Sequence, residues 1–311
     1  MRNEVNTGKE IARYKVRIIP YIILLRPYQH IKNLFVFAPL FFAGRIAESF
    51  LLYKSVIAFV VFSFASSSVY IFNDYLDRAE DREHPVKKHR PLASGEVSEV
   101  SALCLAGLLL ITGLALVLVL DVHLFPIVSI YILLNVFYSM GLKHISLLDI
   151  FIVAIGFVLR IYAGHIATQI YLSVWIIIIT FLLALFLAVA KRRDDILLSK
   201  ELKKVRKSID GYNLIFVNGV MIILATVIMV SYIMYTISGE VTSRLHSDRV
   251  YMTSVFVLFG ILRYMQITLV GEKSGDPTKV LLSDSLIQIT VLFWIASFAL
   301  IIYHDLLKWI F

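Results

Sequence analysis

The sequence is almost without cysteine. Cys104 is the one cysteine among the 311 residues, and it lies within an apolar stretch. A single cysteine excludes an internal disulfide, and we interpret this one as a small hydrophobic residue. The residues before Arg26 carry charges but contain no small-residue site at which a signal peptidase would cut. We therefore expect no removable signal peptide.

The chain is also poor in the polar residues that a water-soluble domain needs. It is 59% hydrophobic, with a mean hydropathy of +0.83, which excludes a soluble domain and favours a polytopic membrane protein. Apolar runs of about 20 residues, enough to cross the hydrocarbon, predict an all-α protein with nine transmembrane helices. The predicted spans are 33–48, 51–72, 101–120, 124–141, 146–166, 171–190, 212–238, 250–271 and 280–303.

The distribution of positive charge predicts the orientation of these spans. Segments on the N-terminal side of the membrane hold 23 of the 30 Lys and Arg residues, and segments on the other side hold 5. Positive charge is retained in the cytoplasm, so we expect a multi-pass protein of the plasma (inner) membrane with a cytoplasmic N-terminus and active site. We divide the chain into a cytoplasmic segment, 1–20, and a transmembrane domain, 21–311.

The feature that points most directly to chemistry is an acidic motif at the end of the second predicted span. Asp74, Asp77 and Asp81 follow one another at i, i+3 and i+7, which on a helix places them within an arc of about 60°. Three like charges so placed repel one another unless a cation neutralises them. The spacing predicts a site for a hard divalent cation, Mg²⁺ or Ca²⁺, exposed at the membrane rim. The alternative is a solvated acidic loop.

Basic residues follow the acidic motif and also precede the first span. Lys87, Lys88 and Arg90 could hold phosphate oxygens near the metal, and the alternative is the ordinary basic flank of a membrane helix. Arg26 and Lys32 flank the entry of the chain into the membrane, where simple anchoring is the alternative role. Two further candidates, Tyr138 and Lys143, lie on the same predicted side of the membrane.

A second loop on the predicted cytoplasmic side begins with the sequence Lys191-Arg192-Arg193-Asp194-Asp195. Adjacent carboxylates on a helix point about 100° apart, so Asp194 and Asp195 are less suited to one metal than the first motif is. Because three cations precede them, an anion-binding role is at least as well supported by the sequence.

These pieces together resemble the UbiA superfamily of intramembrane prenyltransferases. The resemblance is carried by Arg26-Pro27 with Lys32-Asn33, by Asn73-Asp74-x-x-Asp77-x-x-x-Asp81, by Arg90-Pro91-Leu92-x-Ser94-Gly95, and by Tyr138-Ser139 with Leu142-Lys143 and Asp149. Within the superfamily the chain is most similar to the decaprenyl-phosphate phosphoribosyltransferases. In other members a second aspartate motif stands where this chain has Lys-Arg-Arg-Asp-Asp, and this departure favours the phosphoribosyl subgroup.

The resemblance implies a helical bundle with a cytoplasm-facing polar pocket. It implies that Asn73, Asp74, Asp77 and Asp81 bind Mg²⁺, with the three aspartates as catalytic residues. The donor would be 5-phosphoribosyl-1-diphosphate and the acceptor a polyprenyl phosphate. The implied substrate-binding residues are cationic or polar side chains near the cytoplasmic face, namely Arg26, Lys32, Asn73, Lys87, Lys88, Arg90, Tyr138, Lys143, Lys191, Arg192, Asp194 and Asp195.

Two other functions remain open from the sequence. The same metal site in a prenyltransferase would bind a prenyl diphosphate, with an aromatic acceptor such as 4-hydroxybenzoate. A cation-coupled transporter is the more distant alternative, since transport sites usually lie near mid-membrane. We expect the membrane to be a partner and nucleic acid not to be one. A homo-oligomer is compatible with the sequence.

Overall fold

A computed structural model describes residues 18–202, 211–245, 247–271 and 276–307, and within them it contains helices and no strands. The predicted N-terminal segment lies almost entirely outside the described residues, so its boundary at residue 20 stays a prediction. The helices are α1 (residues 18–25), α2 (Ala38–Phe42), α3 (Ser49–Glu83), α4 (Pro91–Ser94), α5 (Glu99–Leu120), α6 (Leu124–Met140), α7 (Leu148–Thr168), α8 (Val174–Leu202), α9 (Leu214–Ile237), α10 (Gly239–Leu245), α11 (Ser254–Leu269), α12 (Pro277–Ser283) and α13 (Ser285–Leu307).

Long apolar helices confirm the prediction of an all-α polytopic membrane protein. Among the described residues, seven helices are long and apolar enough to cross a bilayer, and the 17-residue α6 is a shorter apolar helix. The first predicted span, 33–48, instead contains the end of a 3₁₀ segment, Pro27–Phe37, followed by the five-residue α2. Pro27 and Pro39 lack a backbone N–H and interrupt helical hydrogen bonding there, so the count of nine is approximate.

Helix α3 is longer than a membrane crossing requires. Its 35 residues extend about 50 Å, whereas the hydrocarbon is about 30 Å thick. The apolar run ends at Phe72 and the helix continues to Glu83. Its last turns therefore carry the acidic motif on a rigid element, as the helical spacing predicted.

The described chain divides into two compact units, and the described residues of the first are 18–34 and 56–140. Its apolar cluster joins α1, the end of α3, α4 and the start of α5, and is formed by Leu24, Ile71, Leu92, Val97, Ala102 and Ala106. Leu92 lies in α4, within the loop that returns from the end of α3, so burying it folds this loop back onto the acidic end of α3.

A polar seam fixes the 3₁₀ segment against α3 in the same unit. The Asn33 side-chain amide donates to Ser63 Oγ at 3.1 Å and to Ser66 Oγ at 3.3 Å. His30 Nε2 lies 3.0 Å from Ser67 Oγ, and Ser67 Oγ donates to the Leu25 carbonyl at 2.9 Å. Small polar residues join membrane helices in this way because hydrocarbon offers no competing partner.

The second unit comprises residues 35–55 and the described residues from 141 to 307, and helix α8 packs in it between α7 and α9. Buried side chains along this contact include Phe186, Ala190, Val217, Met221 and Ile228. Helix α7 also contacts α2. The approach is closest at Gly164, where a Cβ atom would overlap the carbonyl oxygen of Val36 and would lie 3.2 Å from Pro39 Cδ.

We predict that Gly164→Ala destabilises the protein by about 1–3 kcal/mol, the usual effect of overpacking a tight contact. Gly219→Ala on α9 is the matched control, because a Cβ there meets nothing within 4 Å and alanine favours the helix. Thermal unfolding of the detergent-purified variants measures both effects. Equal midpoints for the two variants would contradict the close packing at Gly164.

Candidate active site

Two of the three aspartates at the end of α3 are buried. Asp74 and Asp81 are 3% and 2% exposed, whereas Asp77 is half-buried. The expectation that the carboxylates lie exposed at the rim is therefore wrong for Asp74 and Asp81. The reason is the return of the loop after α3, which the burial of Leu92 holds over this helix face.

Arg90 lies between the two buried carboxylates. Its Nη1 donates to Asp74 Oδ1 at 2.9 Å and to Asp81 Oδ2 at 2.7 Å. The backbone of Arg90 is extended, with φ −68° and ψ 142°, and Pro91 starts α4 immediately after it. A residue before proline is restricted to this region, so the local sequence directs the Arg90 side chain back to α3.

Two more cations approach the same carboxylates from other segments. Arg26 forms an ion pair with Asp74, and Lys87 Nζ lies 3.7 Å from Asp81 Oδ1. Three cations therefore face two buried carboxylates. This arrangement offsets the cost of burying like charges close together.

Arg26 reaches Asp74 through an unusual turn at the end of α1. Its φ is +51°, a left-handed conformation that costs a non-glycine residue energy and needs surrounding support. The Ser67 hydroxyl holds the preceding Leu25 carbonyl, and the guanidinium lies 5.2 Å from the centroid of the Tyr70 ring. Burial lowers the pKa of the nearby His30 imidazole, so this ring is neutral at pH 7.

The remaining members of the motif pair with each other. The Asn73 side-chain amide donates to Asp77 Oδ2 at 3.0 Å, as the i, i+4 spacing on a helix allows. The four side chains thus form two groups: Asp74 and Asp81 are joined through Arg90, and Asn73 is hydrogen-bonded to Asp77.

The donor chemistry of these four residues fits a divalent cation. Carboxylate and amide oxygens are the ligands that Mg²⁺ prefers, and Asp74 and Asp81 already direct oxygens to one shared cationic nitrogen. Among the described residues, no group of three or more His, Cys, Asp or Glu side chains is arranged to hold a metal. In this structure Arg90 holds the oxygens of Asp74 and Asp81. A metal ion at this site would therefore have to compete with Arg90 for them.

A second charged cluster lies in the other unit, where α7, α8 and the residues before α9 meet. Asp149 is fully buried. Its Oδ1 accepts a hydrogen bond from the Tyr212 hydroxyl at 2.7 Å, and its Oδ2 lies 2.6 Å from Arg192 Nε. Arg192 Nη1 in turn donates to Asp195 Oδ2 at 2.6 Å. Burial, and after it the hydrogen bond to Asp149, raises the pKa of Tyr212, so its phenol stays protonated.

The neighbouring residues of α8 have different roles. Arg193 donates from Nε to Asn218 Oδ1 at 3.1 Å and from Nη1 to the Thr268 carbonyl at 2.5 Å, which ties α8 to α9 and α11. Asp194 is buried, and Lys191 is exposed. The run of five charged residues is therefore not one continuous anion-binding surface.

The other predicted site residues stand in varied environments. Lys88 is exposed and, among the described residues, makes no ion pair with the α3 carboxylates, whereas Lys87 does. Lys32, Tyr138 and Lys143 are half-buried. Sequence reasoning missed Tyr212, because its partner Asp149 lies 63 residues away and no spacing rule connects them. The sequence signal that could have drawn attention to Tyr212 is its place in Gly-Tyr-Asn, at the start of a predicted helix.

Comparisons with known proteins identify the family. The sequence model of the UbiA prenyltransferase family matches residues 33–206. A decaprenyl-phosphate phosphoribosyltransferase of Mycolicibacterium smegmatis is 36% identical over 292 residues, which cover 90% of this chain and 92% of the relative. A protein of the same name from Corynebacterium glutamicum is 34% identical, and the match covers 90% of this chain and 85% of the relative.

Solved structures share the fold. A UbiA homologue from Archaeoglobus fulgidus bound to GPP and Mg²⁺ superposes with a TM-score of 0.68, at 20% identity, over 91% of this chain and 99% of that one. The same homologue bound to DMAPP and Mg²⁺ gives a TM-score of 0.67. Likeness at this identity establishes the architecture alone.

We predict that Arg90→Gln destabilises the protein by about 3 kcal/mol, because Asp74 and Asp81 lose their shared cation and buried charges left uncompensated are costly. Added Mg²⁺ should raise the thermal midpoint of this variant more than that of the wild type, since the competing guanidinium is gone. The measurement is thermal unfolding in EDTA and in Mg²⁺.

Arg78→Gln provides the matched control for this measurement. Arg78 is also on α3, but its ion pair with Glu99 is largely exposed, and exposed pairs contribute at most about 1 kcal/mol. If Arg90→Gln and Arg78→Gln unfold alike and respond alike to Mg²⁺, the shared-cation role of Arg90 is wrong.

Proposed function

Since the chain belongs to the UbiA prenyltransferase family and is a transferase of that family, we propose that it transfers a 5-phosphoribosyl group. The donor is 5-phosphoribosyl-1-diphosphate, the acceptor is a polyprenyl phosphate and the leaving group is pyrophosphate. One observation carries this proposal: Arg26, Lys87 and Arg90 converge on the buried carboxylates of α3. The two relatives, whose matches each cover 90% of this chain, share the name decaprenyl-phosphate phosphoribosyltransferase, which supports the choice of substrates.

The residues of the acidic motif would hold Mg²⁺ in this reaction. Asn73, Asp74, Asp77 and Asp81 supply oxygen ligands, and the bound ion would neutralise charge on the diphosphate as it leaves. The arginines have a complementary role, because a planar guanidinium binds phosphate oxygens with two parallel hydrogen bonds. Arg26 and Arg90 would donate to the diphosphate, and Lys87 would add a point charge beside it.

The reaction needs little proton transfer. The bond between the anomeric carbon and the diphosphate oxygen breaks, and pyrophosphate leaves with the electron pair. An oxygen of the lipid phosphate forms the new bond to the same carbon. This oxygen is already ionised, so no general base has to activate it. The side chains therefore act by positioning the reactants and by compensating charge, which are large contributions to catalysis.

The second cluster supplies further candidates for phosphate binding. We assign Arg192 to a substrate phosphate because it lies in the basic Lys191–Arg193 run, and Asp149 and Asp195 would hold its guanidinium in place. We also retain six other side chains as proposed substrate-binding residues, namely Lys32, Tyr138, Lys143, Lys191, Asp194 and Asp195. Lys88 is exposed, and we assign it no contact with the α3 carboxylates.

The membrane setting suits a lipid acceptor. The chain is a multi-span membrane protein with many exposed apolar side chains on its long helices, and a polyprenyl tail needs such surroundings. From the excess of Lys and Arg on one side we propose a plasma (inner) membrane location with the N-terminus and the reaction on the cytoplasmic side.

Prenyl transfer is the second candidate function. The structural neighbours are bound to DMAPP or GPP together with Mg²⁺, so the fold is able to hold a prenyl diphosphate. Both reactions release pyrophosphate, and the α3 carboxylates suit either donor. The high charge of 5-phosphoribosyl-1-diphosphate, which adds a 5-phosphate to the diphosphate, matches the number of cations better.

A paired assay on detergent-purified protein with Mg²⁺ separates the two functions. One arm supplies labelled 5-phosphoribosyl-1-diphosphate with a polyprenyl phosphate, and the other supplies a prenyl diphosphate with 4-hydroxybenzoate. We expect label to enter lipid in the first arm. Product in the second arm alone would overturn phosphoribosyl transfer, and product in neither would favour a transporter, to be tested by cation flux in vesicles.

We predict that Asp77→Asn lowers kcat by about a hundredfold, as the loss of one electrostatic contact in an active site typically does. Its thermal midpoint should stay close to that of the wild type, because Asp77 is half-buried and an amide can still accept from Asn73. Glu80→Gln is the control, since it removes one charge from the exposed face of the same helix. Full activity in Asp77→Asn would remove Asp77 from the metal site.

A further inference from the structure

We infer that Tyr212 is a positioning residue that sets the orientation of Arg192 through Asp149. The inference deepens the proposed function, because the substrate phosphate that Arg192 would meet rests on that proposal. The contacts that carry the inference lie entirely within one unit of the fold and join α7, α8 and the residue pair before α9.

The Tyr212 hydroxyl uses its donor and an acceptor at the same point. It donates to Asp149 Oδ1 and accepts from the Leu147 backbone N–H, both at 2.7 Å. A tyrosine hydroxyl has one proton to give, so its direction is fixed by Asp149. Leu147 has a φ of +70°, which costs a leucine energy, and the hydrogen bond from its N–H helps to hold this turn at the start of α7.

The sequence around Tyr212 is suited to placing its ring there. Gly211 has a φ of +97°, and a Cβ would lie 2.7 Å from Ser146 Oγ, so glycine allows the chain to approach the turn before α7. Asn213 caps α9 by accepting from the Phe216 N–H at 2.8 Å, as asparagine often does at the start of a helix. Tyr212 is thus held between a glycine turn and a helix cap, and its ring has little freedom to move.

Asp149 passes this restraint on to Arg192. One carboxylate oxygen meets Tyr212, and the other lies 2.6 Å from Arg192 Nε. Because Asp149 is fully buried, bulk water does not replace the tyrosine if its hydroxyl is removed. Asp195 holds the Nη1 edge of the same guanidinium at 2.6 Å. The contact with Asp195 is a hydrogen bond, and the contact with Asp149 is a close ion pair without hydrogen-bond alignment. Together they restrain two edges of the planar group.

The adjacent arginine shows how a structural role differs. Arg193 donates to an amide oxygen on α9 and to a backbone carbonyl on α11, and these two contacts join three helices. Arg192 instead contacts two carboxylates, Asp149 and Asp195. Carboxylates placed behind a ligand-binding side chain in this way fix its orientation. A purely structural cross-link through Tyr212 would need only the Leu147 contact.

The first test needs no turnover. Phenylglyoxal modifies accessible arginine side chains, and mass spectrometry of the purified full chain quantifies the product at each arginine. We expect Tyr212→Phe and Asp149→Asn to increase modification of Arg192 several-fold, with Arg193 unchanged as the internal reference. Tyr264→Phe should change neither, because the Tyr264 hydroxyl is buried without a hydrogen-bond partner among the described residues.

The second test separates positioning from general stability. Tyr212→Phe should raise KM for the phosphorylated substrate that Arg192 binds on the order of tenfold, the usual scale for a hydrogen bond to a charged group, with kcat within about twofold. In an Arg192→Lys background the same substitution should have no further effect on KM, because a residue acting through Arg192 has nothing left to position.

Three results of these tests would overturn the role of Tyr212. A KM increase that persists unchanged in the Arg192→Lys background would overturn the inference. So would unchanged Arg192 modification in Tyr212→Phe, or an equal rise at Arg192 and Arg193. If the wild type transfers no phosphoribosyl group, the proposed function fails, while the modification experiment still decides the role of Tyr212.

Discussion

The placement of Arg90 between Asp74 and Asp81 is the interaction on which the first unit of this protein depends. Two carboxylates two helical turns apart are buried at the end of α3, and without compensation they would repel each other and lose hydration. Arg90 supplies one nitrogen to both, while Arg26 and Lys87 add charge from either side. The motif thereby ties the end of α1 and the loop after α3 to one helix face.

The same charges serve stability and the proposed chemistry. A divalent cation needs the oxygens that Arg90 holds, and a diphosphate needs the guanidinium groups that the carboxylates hold. If the proposed function holds, binding a metal–diphosphate complex would exchange one set of opposite-charge contacts for another without leaving buried charge unpaired. Such an exchange would allow the site to remain folded before its substrates arrive. It would also explain why removing a single member is expected to affect folding and binding together.

Local rules predicted the elements and the spacing of the acidic motif. Apolar runs gave the long helices, and helical periodicity placed Asp74, Asp77 and Asp81 on one face. In the structure Asp74 and Asp81 share Arg90, whereas Asp77 contacts Asn73. Burial of Asp74 and Asp81 was not predictable in the same way, because it depends on Leu92 and its loop returning across α3. Hydropathy predicted a single span at 33–48, where the structure has the end of a 3₁₀ segment and the short α2. Pro27 and Pro39 were the sequence signal for this interruption, and the apolar pattern concealed it.

The second cluster shows the limit of sequence reasoning more sharply. Asp194 is buried and Asp195 is half-buried, in keeping with the different directions that the spacing predicted for adjacent helical residues. The link from Tyr212 through Asp149 to Arg192 joins residues far apart in the chain, so only packing of α7, α8 and α9 reveals it. Lys87 and Lys88 differ in exposure for a local reason. They lie in the short 3₁₀ turn Lys87–His89, in which successive side chains point to different faces.

The proposed function requires the α3 carboxylates to bind a divalent cation together with a diphosphate. Calorimetric titration of the wild-type protein with 5-phosphoribosyl-1-diphosphate, once in Mg²⁺ and once in EDTA, is the decisive measurement. We expect saturable binding in Mg²⁺, competition by inorganic pyrophosphate, and affinity lowered about a hundredfold in EDTA, because the bound ion would supply several kcal/mol of charge compensation. Equal affinity in the two buffers would show that no cation takes part in binding the diphosphate.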